Sequence, residues 1–237
     1  MKTLKLAVLA SAMFLAGPVT VKAQTADEIV EKHLTAIGGK DNWKKINSVK
    51  MVGSMNANGM EIGLTSIAVN KKAMRQDIDV AGMNGYSIIT SDAGWMYFPW
   101  MGQSKAEAMT PDQVKESQDQ LNIQGELVDY KENGCKVEYL GKDDVEGTEC
   151  HKMKFTSKEG NEKTMYFDAS NYYKIREVQK IKADGKEMEN IITFSNYQKQ
   201  PEGVVIPMTM GTQGGEMAFK SVEINKPVDE SLFKPAN

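Results

Sequence analysis

Apolar and polar residues alternate along most of the chain, with a period of two from Ser48 onward. In the first such run, Val49, Met51 and Met55 fall on one side and Lys50 on the other. Successive side chains of a β-strand point to opposite faces, so this run predicts a strand with one apolar face. Runs that predict strands lie at 48–56, 60–64, 73–80, 85–91, 94–98, 135–142, 148–156, 163–168, 173–182, 187–197, 203–210 and 215–224.

Short turns rich in Gly, Asn and Asp separate these runs, among them Asn58-Gly59, Glu146-Gly147 and Asp184-Gly185. Parallel strands need crossover connections of a dozen or more residues, which these turns cannot supply. The sequence therefore predicts one antiparallel, mainly β (α+β) sheet. Because helices stand at its start and in its middle, we expect the sheet to curve and the helices to cover its concave face.

A helical pattern precedes the strands, over residues 25–37. Thr25 is placed to cap its first turn together with Glu28, an apolar stripe follows, and a pair of glycines ends it. A second, shorter helical turn is predicted over 41–45, where Trp43 would hold it against the sheet.

A weakly apolar helix interrupts the strands in mid-chain. Thr110 and Pro111 give an N-cap and a first-turn proline, and Val114, Leu121 and Ile123 are the few apolar residues that follow. The run of large apolar side chains at 95–101 cannot all pack on one strand face, so part of it should lie beneath this helix. The helix is either a lid over an apolar mouth or a plain structural cover.

The N-terminus predicts export. Lys2 and Lys5 precede an apolar run at 6–16, and small residues follow, which is typical of a secretory signal peptide over 1–23. That run is shorter than the roughly 20 residues a bilayer requires, so it does not predict a membrane span. No cysteine stands near the cleavage position to carry a lipid. The mature chain, 24–237, is thus expected to be one unlipidated, monomeric domain in the periplasm.

The charge balance excludes one class of partner. The whole chain has a net charge of −3, and residues 1–23 hold three lysines and no acid, so the mature chain has a net charge of −6. Such a surface repels nucleic acid and anionic membranes.

Cys135 and Cys150 are the two cysteines. If 135–142 and 148–156 form a hairpin that turns near residues 145–147, Cys135 lies opposite about residue 158. The two sulfur atoms would then be too far apart, because a disulfide needs Cα atoms within about 7 Å. The pattern favours two small buried side chains over a bridge.

Residues that could carry catalysis are scarce. His33 and His151 are the two histidines, and no partners converge on them for a zinc site or a nucleophile pair, so packing or surface roles are favoured. The acids at 77–79 and 143–146 lack the spacing of a calcium loop and read as solvated. No phosphate-binding loop, nucleophile elbow or Cys-x-x-Cys motif is present. We predict no enzyme activity, no cofactor and no metal.

Methionine is the unusual feature of the composition. The chain has 16 methionines, and all but Met1 and Met13 lie beyond the predicted signal peptide, many on apolar strand faces. A soft, unbranched side chain suits a surface that accepts flexible apolar ligands, although an ordinary core uses it as well. Copper binding through thioethers is a further option, for which Met208 and Met210 are a weak signal.

The order of these elements resembles the periplasmic lipoprotein-carrier superfamily that contains LolA, LolB and LppX. The similarity covers most of the mature chain in outline. It is strongest at Val69–Lys72, Met74–Val80, Ile88–Asp92 and Gly94–Pro99, and the closing stretch Val228–Pro235 also resembles the C-terminus of the family.

The resemblance implies an unclosed antiparallel half-barrel of about 11–12 strands around an apolar cavity, with an N-terminal helix and a helical lid on its concave face. Val114, Leu121 and Ile123 would belong to the lid. In the dedicated lipoprotein carrier of the family an arginine holds the lid shut. The matching position here is Lys71, which lacks the planar fork of donors, with Arg75 nearby; these two are the candidate lid latches.

The leading functional hypothesis is a carrier or binding protein for lipid or lipoprotein acyl chains, acting with lipoprotein-sorting proteins of the envelope. The alternative is an envelope protein-interaction or stress-sensing module that binds a polypeptide with the same fold. The residues expected to line the apolar cavity are Met51, Met60, Ile62, Leu64, Met74, Ile78, Tyr97 and Trp100.

Overall fold

The computed structural model describes residues 25–57, 59–183 and 186–235. The predicted signal peptide at 1–23, Asn58 of the first predicted turn, and the turn at Asp184-Gly185 lie outside these residues. Within the described part of the chain, no helix is long and apolar enough to cross a membrane.

The helices are short, and the two longest begin with capping boxes. The α-helices are α1 (Ala26–Ala36), α2 (Lys40–Trp43) and α3 (Pro111–Ser117), and 3-10 turns occupy Pro99–Met101, Gln118–Leu121 and Glu230–Phe233. The Thr25 hydroxyl accepts from the Glu28 backbone N–H, and the Glu28 carboxylate accepts from the Thr25 N–H, which is the predicted capping box. The predicted helix at 110–123 is only partly α-helical, because it tightens into a 3-10 turn after Ser117.

Strands make up most of the rest of the described chain. They are β1 (Ser48–Ala57), β2 (Met60–Val69), β3 (Ala73–Val80), β4 (Met83–Thr90), β5 (Gly94–Tyr97), β6 (Glu107–Ala108), β7 (Lys136–Val145), β8 (Thr148–Thr156), β9 (Glu162–Asp168), β10 (Lys174–Ala183), β11 (Lys186–Lys199), β12 (Val205–Thr212) and β13 (Gly215–Ile224). The count is thirteen instead of eleven or twelve, since the two-residue β6 is too short to show a period.

All thirteen strands form one antiparallel sheet in the order β6-β5-β4-β3-β2-β1-β13-β12-β11-β10-β9-β8-β7. Every neighbour is the next strand along the chain except at the centre, where β1 pairs with β13. The sheet does not close, because β6 and β7 are both edges. The mainly β, unclosed half-barrel predicted from the sequence is confirmed.

The concave face holds the main core, beneath α1. Ile29 and Val30 of α1 are buried against Met153, Met165 and Phe167 of β8 and β9. A second cluster continues along the same face to the central strands; its members are Ile46, Val204, Ile206 and Ile224, with Trp43, Val49, Met51, Ile123 and Val222 packed against them. The helices therefore fill one part of the concave face.

The outer face is covered at one end by the C-terminal segment. Phe233, in the last 3-10 turn, is buried with Tyr86 and Ile88 of β4. Val228 packs beside them, and the Arg75 guanidinium donates to the Leu232 carbonyl oxygen over 3.0 Å. The closing stretch that resembles the carrier family is thus an outer clasp on β3 and β4.

The edge strand β7 is interrupted by a β-bulge. Its pairing with β8 shifts between Tyr139 and Gly141, where Gly141 has a φ of +102°. Lys136 and Glu138 precede the bulge and are exposed. A bulge bends a strand locally and leaves one residue without a ladder partner.

Candidate functional site

The candidate site is the part of the concave face that the helices leave open, on the wall built by β1 to β4. Leu64 of β2 lies directly opposite Ile78 of β3, and Ile62 lies opposite Met55 of β1. Since side chains opposite one another in a ladder point to the same face, these residues share one surface. The predicted lining residues that strand pairing places on this surface are Met51, Met60, Ile62, Leu64, Met74 and Ile78.

An exposed methionine rim borders the open wall. Met60 is 46% exposed, Met83 44% and Met188 47%, although methionine is usually buried. Met83 pairs with Val80, which shares the face of Ile78, and Met188 occupies the opposite arm of the sheet. The rim therefore exposes flexible apolar side chains on both arms of the half-barrel.

Trp100 reaches the concave face from outside the strands. It lies in the 3-10 turn after β5, and a Cβ placed on Gly85 would be 2.6 Å from the Trp100 ring. Gly85 lies opposite Ile78 and shares its face. Because Gly85 has no side chain, the Trp100 indole can pack directly over it, beside the aliphatic residues of the wall.

Tyr97 lies on the other side of the sheet. It pairs with Tyr86, their ring centroids are 5.8 Å apart, and both belong to the cluster around Phe233 on the outer face. The sequence placed Tyr97 and Trp100 together in the lining. The structure separates them, because Tyr97 still follows strand alternation and Trp100 does not.

The predicted lid residues pack on different parts of the concave side. Val114 of α3 and Leu121 are buried, and α3 and the following 3-10 turn contact β4 and β3. Gln118 donates to the Thr90 carbonyl oxygen over 3.1 Å, which attaches this segment to β4. Ile123 lies further on, in the central cluster with Met51.

A pocket of about 410 Å³ lies between α3 and the sheet edge at β5 and β6. Trp95, Met109 and Val114 supply apolar parts of its lining, and Asp92 and Lys115 supply polar ones. Space of this size is in the range of small-ligand sites. The lid segment is consequently not packed tightly against the edge.

The two candidate latches have different positions. Lys71, in the β2–β3 turn, donates its backbone N–H to the Leu121 carbonyl oxygen over 2.8 Å, so it does hold the lid segment, through its main chain. Arg75 faces outward instead. Its Nε donates to Asp77, and its guanidinium lies 4.5 Å from the centre of the Tyr86 ring. Arg75 therefore holds the C-terminal clasp and does not contact the lid.

Sequence reasoning missed an ionic cluster on the concave face. Glu126, from the chain segment that follows the lid, lies 2.8 Å from the Lys163 ammonium and 3.7 Å from that of Lys174. Glu177 contacts the same two lysines at 3.0 and 2.7 Å. Lys163 lies two residues before Met165 on β9, so both side chains point to the same apolar face. A lysine on that face is the sequence signal that could have revealed the cluster.

The electrostatics of this cluster favour its charged state. Burial disfavours the ammonium of Lys163, but attraction to Glu126 and Glu177 outweighs burial and raises its pKa. Burial likewise opposes the Glu177 carboxylate, while Lys174 and Lys163 outweigh it and lower its pKa. The cluster thus links the segment after the lid to β9 and β10 with paired charges.

Both histidines pack inside the fold. Burial lowers the pKa of His33 to about 4, although the hydrogen bond from its Nδ1–H to the Tyr172 carbonyl oxygen, 2.8 Å long, acts in the opposite direction. Burial is also the main cause of the lowered pKa of His151, whose ring stacks on Tyr172. The packing role predicted for them agrees with these contacts.

The described residues contain no group of three or more His, Cys, Asp or Glu side chains that could hold a metal ion. Cys135 and Cys150 are both free thiols, as their spacing predicted. Burial raises the pKa of Cys150 to about 11, so this thiol is a poor nucleophile at neutral pH.

Comparison with known proteins identifies the fold. No family model matches the sequence. No curated protein matches it. A LolA superfamily protein from Nitrosomonas europaea shares the fold with a TM-score of 0.55 at 10% identity, over 90% of this chain and 98% of that one. A DUF1329 family protein from Desulfovibrio piger does so with a TM-score of 0.53 at 12% identity, over 88% and 97%. The resemblance to the LolA superfamily found in the sequence is confirmed at the level of the fold.

Proposed function

We propose that this protein is an exported, non-enzymatic carrier or binding protein for lipid acyl chains, which lie along the open concave wall. One observation carries the proposal. The wall of β1 to β4 presents Ile62, Leu64 and Ile78 in adjacent ladder positions, yet neither the helices nor the lid buries them fully. A contiguous apolar surface left partly exposed supports a binding role for this wall.

The physical driving force is the removal of apolar area from water. Transfer contributes about 25 cal/mol per Å² of buried apolar surface, or about 0.8 kcal/mol for each methylene. A shallow wall that covers only one side of a chain captures part of this free energy, which keeps the chain releasable. The methionine rim can refit its shape to chains of different length.

The fold supports the same proposal. Carriage of acyl chains is the role that the resemblance to the LolA superfamily suggests, and the lid segment is attached to the β2–β3 turn by the Lys71–Leu121 hydrogen bond. Chain entry would follow opening of α3 beside the pocket that it borders. The N-terminal pattern at 1–23 supports export to the periplasm, where lipid or lipoprotein acyl chains and lipoprotein-sorting proteins would be the partners.

Lipid extraction tests the proposal. The purified protein is extracted with organic solvent, and lipid bound per protein is measured by mass spectrometry. Leu64→Asp should remove bound lipid, because a carboxylate on the wall must be desolvated when a chain binds. Ser54→Asp is the matched control, since it adds the same charge to the outer face of the neighbouring strand, opposite Gly63 and Ala218, and should retain lipid.

Two results would contradict the proposal. One is wild-type protein without lipid that also fails to take up acyl chains from vesicles. The other is a folded Leu64→Asp variant with as much lipid as the Ser54→Asp variant. Circular dichroism of both variants separates loss of binding from loss of fold.

A further inference from the structure

A polar row crosses the apolar concave wall. Ser66 of β2 lies directly opposite Gln76 of β3, which lies directly opposite Ser87 of β4. Ser66 also lies opposite Met51 on β1, so the row belongs to the concave face and not to the outer one. Three polar side chains thus stand side by side on three neighbouring strands.

Apolar residues flank the polar row on both sides. One neighbouring row, two residues along each strand, is formed by Leu64, Ile78 and Gly85, with the Trp100 indole over the glycine. The row on the other side is formed by Ala68, Met74 and Ile89. Successive rows on one face are about 7 Å apart. The polar row is therefore a narrow band inside a surface that is otherwise apolar on these strands.

Within the part of the chain that the structure describes, the side chains of the row form no hydrogen bonds. Among the described residues, none donates to or accepts from the hydroxyl groups of Ser66 and Ser87 or the amide of Gln76. All three are half-buried. A polar group in such a position is hydrated in the free protein, and it must find a new partner when a ligand displaces the water.

We propose that this row binds the uncharged polar linkage of an acyl lipid, an ester or amide group, and so fixes where along the wall the acyl chain lies. The inference rests on the proposed function and deepens it. The Gln76 amide N–H and the hydroxyl of one neighbouring serine donate to the linkage carbonyl oxygen, which has two lone pairs, and the Gln76 carbonyl oxygen accepts from an amide N–H.

The flanking rows explain why the linkage is uncharged and why a chain follows it. A charged group at the row would have to be desolvated between Leu64 and Met74, neither of which can pair with it. With the linkage on Gln76, the chain continues over Ile78 and Trp100 towards the methionine rim. A hydrocarbon without a linkage would cover the three polar groups and leave them unpaired.

The test compares two ligands of equal chain length, methyl palmitate and hexadecane, partitioned between phosphatidylcholine vesicles and the protein. Wild type should prefer the ester to the hydrocarbon by about tenfold. This factor corresponds to one hydrogen bond that the ester forms with the row and that the hydrocarbon leaves unformed. The variant Ser66→Ala/Gln76→Leu/Ser87→Ala should bind both ligands about equally. Ile78→Ala is the control, because it should weaken both ligands and leave the preference unchanged.

The outcomes separate the role of the row from the proposed function. Loss of the preference in the triple variant, with hexadecane still bound, supports the role of the row. A preference that survives in the triple variant, or a wild type that binds both ligands equally, overturns the row and leaves acyl-chain binding intact. A wild type that binds neither ligand overturns the proposed function and the role of the row with it.

Discussion

The Trp100 indole occupies the space above Gly85 where any other residue would place its Cβ, at 2.6 Å from the ring. The carbonyl oxygen of Tyr97 lies equally close to that position, so β5 also approaches the strand there. Gly85 is therefore the residue that lets the turn after β5 fold back over the concave wall.

Gly85→Ala should displace Trp100 from the wall. The added methyl group requires movement of the indole and of the β5 backbone, at a cost of about 1 to 3 kcal/mol in unfolding free energy. Tryptophan fluorescence should shift to the red as the ring gains exposure. Gly63→Ala is the matched control, because its Cβ would meet only Asp79 at 3.5 Å. Equal effects of the two substitutions would contradict the packing role of Gly85.

Glu126→Gln should destabilise the fold by roughly 2 kcal/mol, because it leaves Lys163 and Lys174 with Glu177 as their one remaining partner in the ionic cluster. The free energy of unfolding in urea measures the loss. Glu138→Gln serves as the control. It removes an exposed pair with Lys154 and should cost under about 0.5 kcal/mol. A smaller loss for Glu126→Gln than for the control would contradict the importance of the cluster.

Stability should fall as the pH is lowered from 7.5 to 5. The folded pKa of His33 is about 4, below the unfolded value of 6.5, so the unfolded state takes up a proton first and is favoured below pH 6.5. The loss by pH 5 should be about 2 kcal/mol in urea unfolding. His33→Asn should flatten this slope, with a remainder from His151, whose pKa is also lowered. An unchanged slope would show that His33 is not buried in its neutral form.

Arg75→Lys should loosen the C-terminal clasp. A lysine cannot donate to Asp77 and to the Leu232 carbonyl oxygen while it also stacks on Tyr86. Amide hydrogen exchange over residues 228–235 should become about fivefold faster, which corresponds to the loss of about 1 kcal/mol of local stability. Arg176→Lys, at an exposed pair with Glu146, should leave this segment protected. Unaltered exchange in Arg75→Lys would contradict the clasp.

Strand alternation carried most of the fold prediction. The period of two located the long strands, and short turns fixed their antiparallel order, because both signals are local. Alternation also indicates that Arg75 lies on the outer face, because it is one residue from Met74 and three from Ile78 on the same strand. The latch hypothesis relied on the resemblance and overlooked that parity.

Other features depend on contacts that no local pattern encodes. Trp100 follows Pro99, where the chain leaves the strand, so periodicity could not predict that it returns over Gly85. Glu126 meets Lys163 and Lys174 only after the segment beyond the lid has crossed to β9 and β10. The polar row was likewise invisible, since Ser66 and Gln76 become neighbours through strand register.

An unclosed sheet has two edge strands, here β6 and β7. Its two free borders present unpaired backbone groups, to which a strand of another chain could add. One border, β6, is only two residues long. The other is bent by the bulge beside Gly141 and flanked by the charges of Lys136 and Glu138. Neither border offers a long, straight template, so both edges of the open sheet disfavour the addition of a strand from another chain.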